Sequence, residues 1–367
     1  MKHNANTKFR KMKVLFISPT YFSKKSFIGG GERYAYDLAK AMSKKAEVLF
    51  LSFAEETSSY ADGNLKIEYI NKTCQIVPFS LKFLKFLYWS DVIHCFQAYN
   101  FVTDISVIFG KILKKKIFIT DIGGGSKYSL SYHLPILRQS DGFFLISEYS
   151  RNLWKQSSVK LRPDNLNVIY GGVDTEKFSP DNSDRSETAL FVGRLLPHKG
   201  IDYLIDAVTD SFSLDIVGNV YNERYFNLLK EKSRNKAIKF HTDTNDEKLV
   251  QKYRNSLVTV LPSVYKDCYG NYTNVPELFG LVVLESMACG TPAIVTDVGS
   301  LPEIVDDGVT GFIVPPNDPS AIHDRIEYLR ANSDIAHTMG IQGRKRVMER
   351  FTWDVVANKC IEFYGQR

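Results

Sequence analysis

Two glutamates, Glu277 and Glu285, stand eight positions apart in PELFGLVVLESMA, residues 276–288. Phe279 and Gly280 predict a turn, and residues 281–288 have the composition of a helix. The first amides of a helix lack internal partners, so they favour an anion. Helix geometry places Glu277 just outside this terminus and Glu285 about one turn inside it. The two carboxylates can therefore accept hydrogen bonds from hydroxyls at both ends of a bound anion. A sugar nucleotide has this layout, with hydroxyls on either side of its diphosphate. Two solvated glutamates on a surface helix explain the pair alone equally well.

A loop with two cations follows the strand-like run Thr188–Val192 and has the sequence GRLLPHKG, residues 193–200. Arg194 offers a rigid fork for phosphate oxygens, and Lys199 offers a mobile point charge. If this loop stood alone, two surface cations would be the simpler interpretation. Its place after a buried strand, in the acidic half of the chain, favours an anion site. The sequence predicts that His198, beside Lys199, is solvated.

Three glycines, Gly29, Gly30 and Gly31, precede a helical pattern that starts at Glu32. Consecutive glycines let the backbone approach a ligand closely, and amides at a helix start can hold a phosphate. Flexible turns use such glycines as well. The glycine spacing does not match the dinucleotide-binding fingerprint, so we exclude a nicotinamide enzyme.

Asp121 follows the strand-like run Ile117–Thr120 and precedes a second glycine triplet, residues 123–125. Ligands of parallel sheets bind beyond the carboxyl ends of the strands, so Asp121 is placed to orient an acceptor hydroxyl or to act as a base. A structural Asx turn before the glycines is equally consistent with the sequence. His94 lies inside a strand-like run, which predicts a packed core histidine.

Short apolar runs rich in β-branched and aromatic residues alternate with helical patterns, and the alternation restarts after residue 187. Strands of this composition are buried on both faces, and their alternation with helices predicts parallel sheets with right-handed crossovers. The predicted strands are 14–18, 48–52, 67–70, 92–96, 117–120 and 143–147 in the first half, and 188–192, 214–217, 238–240, 258–261, 293–296 and 312–314 in the second.

The 367-residue length predicts two domains, and 44% apolar with 24% charged residues is typical of a soluble globular protein. Five scattered cysteines indicate a reduced, cytoplasmic chain with neither disulfides nor a zinc site. No apolar run in the sequence has the length of a signal peptide core or a membrane span.

Charge is divided unevenly, because residues 1–180 hold 26 Lys and Arg against 15 Asp and Glu. The first half therefore carries a net charge of +11, which indicates an anionic partner. Its segment Ile76–Trp89, IVPFSLKFLKFLYW, interleaves Lys82 and Lys85 with aromatics and leucines. This composition suits a helix at an anionic membrane surface, and a half-buried helix with snorkelling lysines equally well. Nucleic-acid binding is disfavoured, because the sequence lacks the expected motifs.

From roughly residue 12 to 365 the chain resembles the retaining glycosyltransferases of family 4, also called group 1. The resemblance rests on the triple-glycine loop and on four further segments: SEYSRNLW (147–154), NVIYGGVDTEKFSP (167–180), FVGRLLPHKG (191–200) and ELFGLVVLESMACGTPAIVTDVGSLPEIV (277–305). It implies an α/β fold of the GT-B type, with two facing Rossmann-like domains, parallel sheets and an interdomain cleft. We expect an acceptor-side domain at 1–175, a nucleotide-sugar domain at 176–350, and a C-terminal helix at 351–367 that packs back on the first domain.

The resemblance also implies roles for the site residues. Arg194 and Lys199 would bind the donor diphosphate and neutralise the leaving group, and Glu277 would hold hydroxyls of the transferred sugar. Glu285 would bind the ribose. The segment Phe279–Val282, through the amides of Gly280, Leu281 and Val282, would contact the sugar or the β-phosphate, and Gly29, Gly30 and Gly31 would close on the donor. Many relatives carry a histidine where this chain has Asp121.

These roles predict transfer of a hexose or N-acetylhexosamine from a nucleotide-diphosphate sugar to an acceptor hydroxyl. We expect front-face attack without a metal or other cofactor, on a glycan or lipid-linked acceptor, in cell-envelope polysaccharide or lipid-linked glycan biosynthesis. The expected location is the cytoplasm or the inner face of the cytoplasmic membrane. A sugar-nucleotide epimerase on the same scaffold and a non-catalytic nucleotide-sugar-binding protein are the alternatives.

One further departure from the family pattern is an expanded link before Glu277, residues 264–275. Its three tyrosines and two asparagines either contact a sugar or cap the site.

Overall fold

The computed structural model describes residues 10–19, 30–71, 80–157, 161, 165–181 and 185–366, without the side chains of Glu32 and Leu81. The chain divides into two compact units. The first unit comprises the described parts of Met1–Ile146, Arg151–Ile169 and Val356–Arg367, and the second comprises those of Ser147–Ser150 and Tyr170–Val355. The domain boundaries at residues 175 and 350 stay predictions.

The first unit is built on an eight-stranded sheet with the strand order β3-β4-β2-β1-β5-β6-β7-β8. Every neighbouring pair is parallel except β3 with β4. The strands are β1 (Lys13–Ile17), β2 (Glu47–Ala54), β3 (Ser58–Asp62), β4 (Leu65–Asn71), β5 (Val92–Phe96), β6 (Lys116–Asp121), β7 (Gly142–Leu145) and β8 (Leu166–Val168). The helices are α1 (Gly30–Ser43), α2 (Leu84–Trp89), α3 (Phe101–Ile112) and α4 (Glu148–Gln156), the last of which begins with residues of the second unit.

The second unit is built on a six-stranded, all-parallel sheet with the order β11-β10-β9-β12-β13-β14. Its strands are β9 (Thr188–Val192), β10 (Ser213–Val217), β11 (Ile238–His241), β12 (Val258–Leu261), β13 (Ala293–Thr296) and β14 (Gly311–Val314). Its helices are α5 (Ile201–Ala207), α6 (Glu223–Lys232), α7 (Asp246–Asn255), α8 (Leu281–Ala288), α9 (Leu301–Ile304), α10 (Pro319–Ala331) and α11 (Ser333–Arg350). A final helix, α12 (Trp353–Gln366), starts in the second unit and continues into the first.

The prediction of two α/β units with parallel sheets is confirmed, and all twelve predicted strands are present. All five residues of β5 and all four of β12 are buried, as expected for strands covered on both faces. Two strands, β3 and β8, were not predicted from the sequence. The strand β3 is an exposed edge with the sequence SSYAD, and β8 has only three residues, so neither produces an apolar run.

His94 is fully buried on β5, in the core of the first unit. Its Nδ1 lies 2.5 Å from the hydroxyl of Tyr364 on α12, and its Nε2 lies 2.6 Å from Oγ1 of Thr120. The prediction of a packed core histidine is confirmed. Phe363 of the same helix packs 5.3 Å from Phe144, ring centroid to ring centroid.

The segment proposed as a membrane-surface helix contains α2, while residues 76–79 lie outside the described residues. Phe83, Phe86 and Leu87 are buried in the core of the first unit, whereas Lys82 and Lys85 are exposed. The described part is therefore a half-buried helix, which was one of the two interpretations given for this segment. Within the described residues, no helix has the length and apolar composition needed to cross a bilayer.

Candidate active site

The loop after β9 carries the two predicted phosphate-binding cations. Arg194 is exposed, and its guanidinium carbon lies 5.7 Å from the ring centroid of Tyr221. Lys199 ends a 3₁₀ turn over Pro197–Lys199, and only 8% of its surface is exposed. Gly200 follows with φ +65°, and a Cβ atom there would lie 2.0 Å from the carbonyl oxygen of Pro262. Glycine is thus required at position 200, because a side chain there would collide with the backbone of Pro262.

Lys199 and Glu277 are brought together by the fold from 78 positions apart in the chain. The Lys199 ammonium lies 2.5 Å from Oε2 of Glu277, and the two side chains are 11% and 14% exposed. The backbone of Glu277 is fixed as well, because its carbonyl oxygen accepts from the amide of Ser300 at 3.2 Å. A Cβ atom on Gly299 would lie 2.2 Å from that same carbonyl oxygen. The structure therefore holds a cation and a carboxylate in contact, nearly out of water.

Helix α8 begins at Leu281, as the sequence predicted, immediately after Gly280. Gly280 has φ +89°, and a Cβ atom there would meet Cδ2 of Leu301 at 2.9 Å. Phe279 is buried, while Leu281 and Val282 are half-buried at the start of the helix. Glu277 therefore comes shortly before the N-terminus of α8 in the chain. This is the arrangement that we inferred for a site that binds an anion with hydroxyls beside it.

Glu285 is the fifth residue of α8, one turn inside the helix as expected. It is buried, and Oε2 of its carboxylate accepts a hydrogen bond of 2.8 Å from the hydroxyl of Tyr253. Tyr253 on α7 is itself fully buried. No local sequence signal points to this tyrosine, because its partner comes from a different helix.

His198 is half-buried, so the prediction of a solvated imidazole is wrong. Burial, with the neighbouring charge of Lys199 as a second cause, lowers the pKa of His198 to about 4. The backbone carbonyl of His198 accepts from the amide of Val264 at 2.9 Å, which packs the loop against the end of β12. At neutral pH the loop therefore contributes the charges of Arg194 and Lys199 but not a histidine charge.

The predicted site residues of the first unit are Gly29, Gly30, Gly31 and Asp121. Gly30 and Gly31 begin α1, and Gly29 lies outside the described residues. A Cβ atom on Gly31 would lie 3.1 Å from Cδ1 of Ile122, the residue after Asp121. The start of α1 and the carboxyl end of β6 are thus neighbours in this unit.

Asp121 is the last residue of β6 and is half-buried. Its Oδ2 accepts a hydrogen bond of 2.7 Å from the indole Nε1 of Trp154, and its Oδ1 lies 3.5 Å from the amide nitrogen of Ala98. Burial raises the pKa of this carboxyl above its usual value, although these hydrogen bonds oppose the shift. This hydrogen bond was not predicted from the sequence, because Trp154 lies 33 positions away on α4.

The expanded link before Glu277 folds as a tight turn on the second unit. The carboxylate of Asp267 accepts from the amides of Tyr269 and Asn271, both at 2.9 Å. The hydroxyl of Tyr265 accepts from the amide of Gly299 at 3.0 Å, so the link is tied to the residue that packs on Glu277. Ring stacking joins Tyr265 to the exposed Tyr272, with centroids 6.1 Å apart.

Metal-ligating side chains do not converge anywhere in the described ranges, where no group of three His, Cys, Asp or Glu residues could hold an ion. The expectation of metal-independent chemistry stays a prediction.

Two protein-family models match the chain: "Glycosyltransferase Family 4" over residues 28–177 and "Glycosyl transferases group 1" over residues 172–346. Together they span most of the sequence, and the chain belongs to this family of glycosyltransferases.

Among curated relatives, the chain is 31% identical over 226 residues to an uncharacterized glycosyltransferase of Methanocaldococcus jannaschii, covering 60% of this chain and 57% of that protein. It is 27% identical over 275 residues to the alpha-maltose-1-phosphate synthase of Mycolicibacterium smegmatis, covering 66% of this chain and 67% of that one. The chain thus spans between about half and two thirds of the length of these relatives.

Among solved structures, HepE of Anabaena in complex with UDP superposes with a TM-score of 0.75 at 20% identity, covering 96% of this chain and 99% of that one. At this identity the likeness shows the fold alone, which is that of the GT-B glycosyltransferases.

Proposed function

We propose that the protein is a retaining glycosyltransferase that moves a hexose or N-acetylhexosamine from a nucleotide-diphosphate sugar to an acceptor hydroxyl. The observation that carries this proposal is the nearly buried pair of Lys199 and Glu277 directly before the amide end of α8. A cation, a carboxylate and the amide end of a helix suit a ligand that places a diphosphate next to sugar hydroxyls. HepE binds UDP, which supports a uridine nucleotide as the first donor to test.

Breaking the anomeric C–O bond builds negative charge on the departing diphosphate and positive charge on the sugar. In the proposed reaction Lys199 and Arg194 stabilise the leaving diphosphate, and fixed charges of this kind need little reorganisation as the bond breaks. Glu277 accepts hydrogen bonds from hydroxyls of the transferred sugar and keeps Lys199 in position. Glu285, held by Tyr253, accepts from the ribose hydroxyls. The acceptor hydroxyl attacks the face that the nucleotide leaves, so the configuration of the sugar is retained, and the diphosphate takes the proton.

Positive charge from Arg194 and Lys199 makes a metal ion unnecessary in this scheme. His198 adds no charge at neutral pH because its pKa is lowered to about 4. The transfer we propose therefore runs in the presence of a chelator, and a requirement for Mg²⁺ or Mn²⁺ would contradict this part of the proposal.

The test begins with a thermal-shift screen of UDP-glucose, UDP-galactose, UDP-N-acetylglucosamine and GDP-mannose, since specific binding stabilises the folded chain by mass action. With the donor identified, nucleotide release is measured for the wild type and for Lys199→Ala, Glu277→Ala and the control Lys177→Ala. Lys177 also forms an ion pair of 2.5 Å, with Asp246, but on the exposed surface. We expect rate losses of roughly 100-fold or more for the first two variants. Near-normal rates in both would remove the proposed site, and inversion at the anomeric carbon would exclude the retaining mechanism.

We also propose that the first unit contacts an anionic membrane surface, where a lipid-linked or envelope glycan acceptor would be reached. Lys82 and Lys85 are exposed beside Tyr88, which is 74% exposed, and Lys115 lies 5.5 Å from the Tyr88 ring centroid. Because Phe86 and Leu87 face the core, the contact would rest mainly on these charges, with Tyr88 as the aromatic element. The inner face of the cytoplasmic membrane is the location that this proposal gives the protein.

A further inference from the structure

Three aromatic rings form a column in the first unit that runs from the core to the surface. Tyr99 lies between Tyr132 and Trp154, with ring centroids 4.6 Å and 5.4 Å apart and interplanar angles of 7° and 10°. Trp154 is 9% exposed, whereas Tyr132 is 51% exposed. Since Tyr99 covers one face of Tyr132, the column ends in an aromatic surface that is open to a ligand.

The inner end of this column is fixed by Asp121 at the carboxyl end of β6. Its carboxylate accepts the indole proton of Trp154 at 2.7 Å, which sets the plane of the indole and of the rings stacked on it. Tyr99 follows β5, which is the strand next to β6. The column therefore lies at the carboxyl ends of the strands, where ligands of parallel α/β folds bind.

The outer end is fixed by a buried carboxylate under the segment that carries Tyr132. Asp104 is fully buried and accepts from Oγ of Ser129 at 2.8 Å, from the amide of Leu130 at 2.6 Å and from the hydroxyl of Ser131. A buried carboxylate is costly unless its hydrogen bonds are made, and here they all serve to hold this segment. Tyr132 is therefore presented on a rigid support.

Polar groups and strained backbone lie beside the column. Gln97, between β5 and Tyr99, has φ +71°, which is unusual for a residue other than glycine. Such outliers cluster at ligand sites. A Cβ atom on Gly124 would lie 3.5 Å from Nε2 of Gln97, and one on Gly125 would lie 3.4 Å from the hydroxyl of Tyr132. The glycine triplet after Asp121 thus passes close to both the Gln97 amide and the column.

We infer that this column is a carbohydrate subsite for the acceptor, with a pyranose ring stacked on the open face of Tyr132. A pyranose has an apolar face of C–H groups and a rim of hydroxyls, and this site offers the aromatic face of Tyr132, with the amide of Gln97 among the polar groups beside the column. The inference rests on the proposed function, because it assigns the acceptor of that reaction. Asp121 is a positioning residue in it, which acts on the acceptor through Trp154 and the stacked rings.

The test is saturation-transfer NMR on the full chain with methyl α-glucoside, maltose, lactose and chitobiose as probes. The variants are Tyr132→Ala, Tyr132→Phe and the control Tyr128→Ala, a tyrosine on the same segment that is 41% exposed. We expect a saturation-transfer signal on at least one probe with the wild type, with Tyr132→Phe and with Tyr128→Ala. Affinity should fall roughly 10-fold or more in Tyr132→Ala, the scale of losing an aromatic stacking surface. If no probe shows a saturation-transfer signal with the wild type, or if the signals are equal for the wild type and Tyr132→Ala, the proposed subsite is wrong.

Nucleotide binding separates this inference from the function on which it rests. The thermal shift produced by the nucleotide should be the same in Tyr132→Ala and in the wild type, because the column lies in the first unit and the proposed diphosphate site in the second. If no nucleotide stabilises the wild type, the proposed function fails. If nucleotides bind and saccharide signals do not depend on Tyr132, only the subsite fails.

Discussion

The ammonium nitrogen of Lys199 lies 2.5 Å from a carboxylate oxygen of Glu277, and both side chains are nearly buried. Removing one partner from such a pair leaves an uncompensated charge out of water, at a cost of about 3 kcal/mol or more. Removing both partners leaves no such charge. The contact therefore couples the effects of the two side chains on stability, and it is also a candidate for catalysis.

We expect Lys199→Ala and Glu277→Ala each to destabilise the protein more than half as much as the double variant does. A double-mutant cycle by urea unfolding measures this coupling. In the exposed control pair, Lys177→Ala with Asp246→Ala, the coupling should stay within about 1 kcal/mol. A coupling of the Lys199 pair no larger than that of the control would mean that the two charges are solvated.

Gly299 and Gly308 allow a matched test of how Glu277 is positioned. Both have positive φ, +60° and +74°, so alanine costs about 1–2 kcal/mol in backbone strain at either site. Only at Gly299 would the added Cβ atom collide with Glu277, 2.2 Å from its carbonyl oxygen. Gly308→Ala should therefore lower the urea midpoint of unfolding but leave the nucleotide-release rate unchanged. Gly299→Ala should lower both the midpoint and the nucleotide-release rate. Equal rates in the two variants would contradict the role of Gly299.

Stability should fall in acid, because burial lowers the pKa of His94 from 6.5 to about 3. Between these values the unfolded chain binds a proton at His94 that the folded chain does not, so acidification favours unfolding. The loss is about 1.4 kcal/mol for each pH unit below 6.5, until the pH approaches the folded pKa. Urea midpoints at pH 7.5 and 5.5 measure it. His94→Gln should reduce the difference between the two midpoints, while His337→Gln, at an exposed position on α11, should leave it unchanged.

Substitution of Asp121 should separate acceptor use from donor binding. Asp121→Ala removes the acceptor for the indole proton of Trp154, whereas Asp121→Asn keeps an oxygen that can accept it. We expect transfer to fall in Asp121→Ala and to recover in large part in Asp121→Asn, with the nucleotide thermal shift unchanged in both. The fluorescence of Trp154 should shift in the alanine variant. Equal loss of transfer in both variants would indicate that the charge itself is needed.

Sedimentation with anionic phosphatidylglycerol vesicles tests the membrane contact of the first unit. Lys82→Glu with Lys85→Glu should weaken binding, and added salt should weaken binding of the wild type, because exposed charges are screened. Lys239→Glu with Lys248→Glu makes the same charge change at exposed positions of the second unit and should have no effect. Equal binding by both double variants would show that the contact lies elsewhere or is nonspecific.

Local sequence signals predicted the strands and the start of α8, because apolar runs and a glycine before a helix are short-range features. The contacts between Lys199 and Glu277, Tyr253 and Glu285, and Trp154 and Asp121 could not be derived in this way. Each joins residues at least 32 positions apart, and their distances depend on how helices and loops pack on the sheets. The half-buried His198 was missed for the same reason, since its environment comes from a loop that meets the end of β12.

The hydrogen bond between His94 and Tyr364 has a consequence for biosynthesis. During translation the ribosome completes the sheet of the first unit almost two hundred residues before it adds Tyr364. Until then the imidazole of His94 lacks this partner, and Phe118, whose ring centroid lies 4.7 Å from that of Tyr364, lacks its cover. The nascent first unit therefore remains incomplete while the second unit is made, and it reaches its final stability only after the whole second unit has emerged.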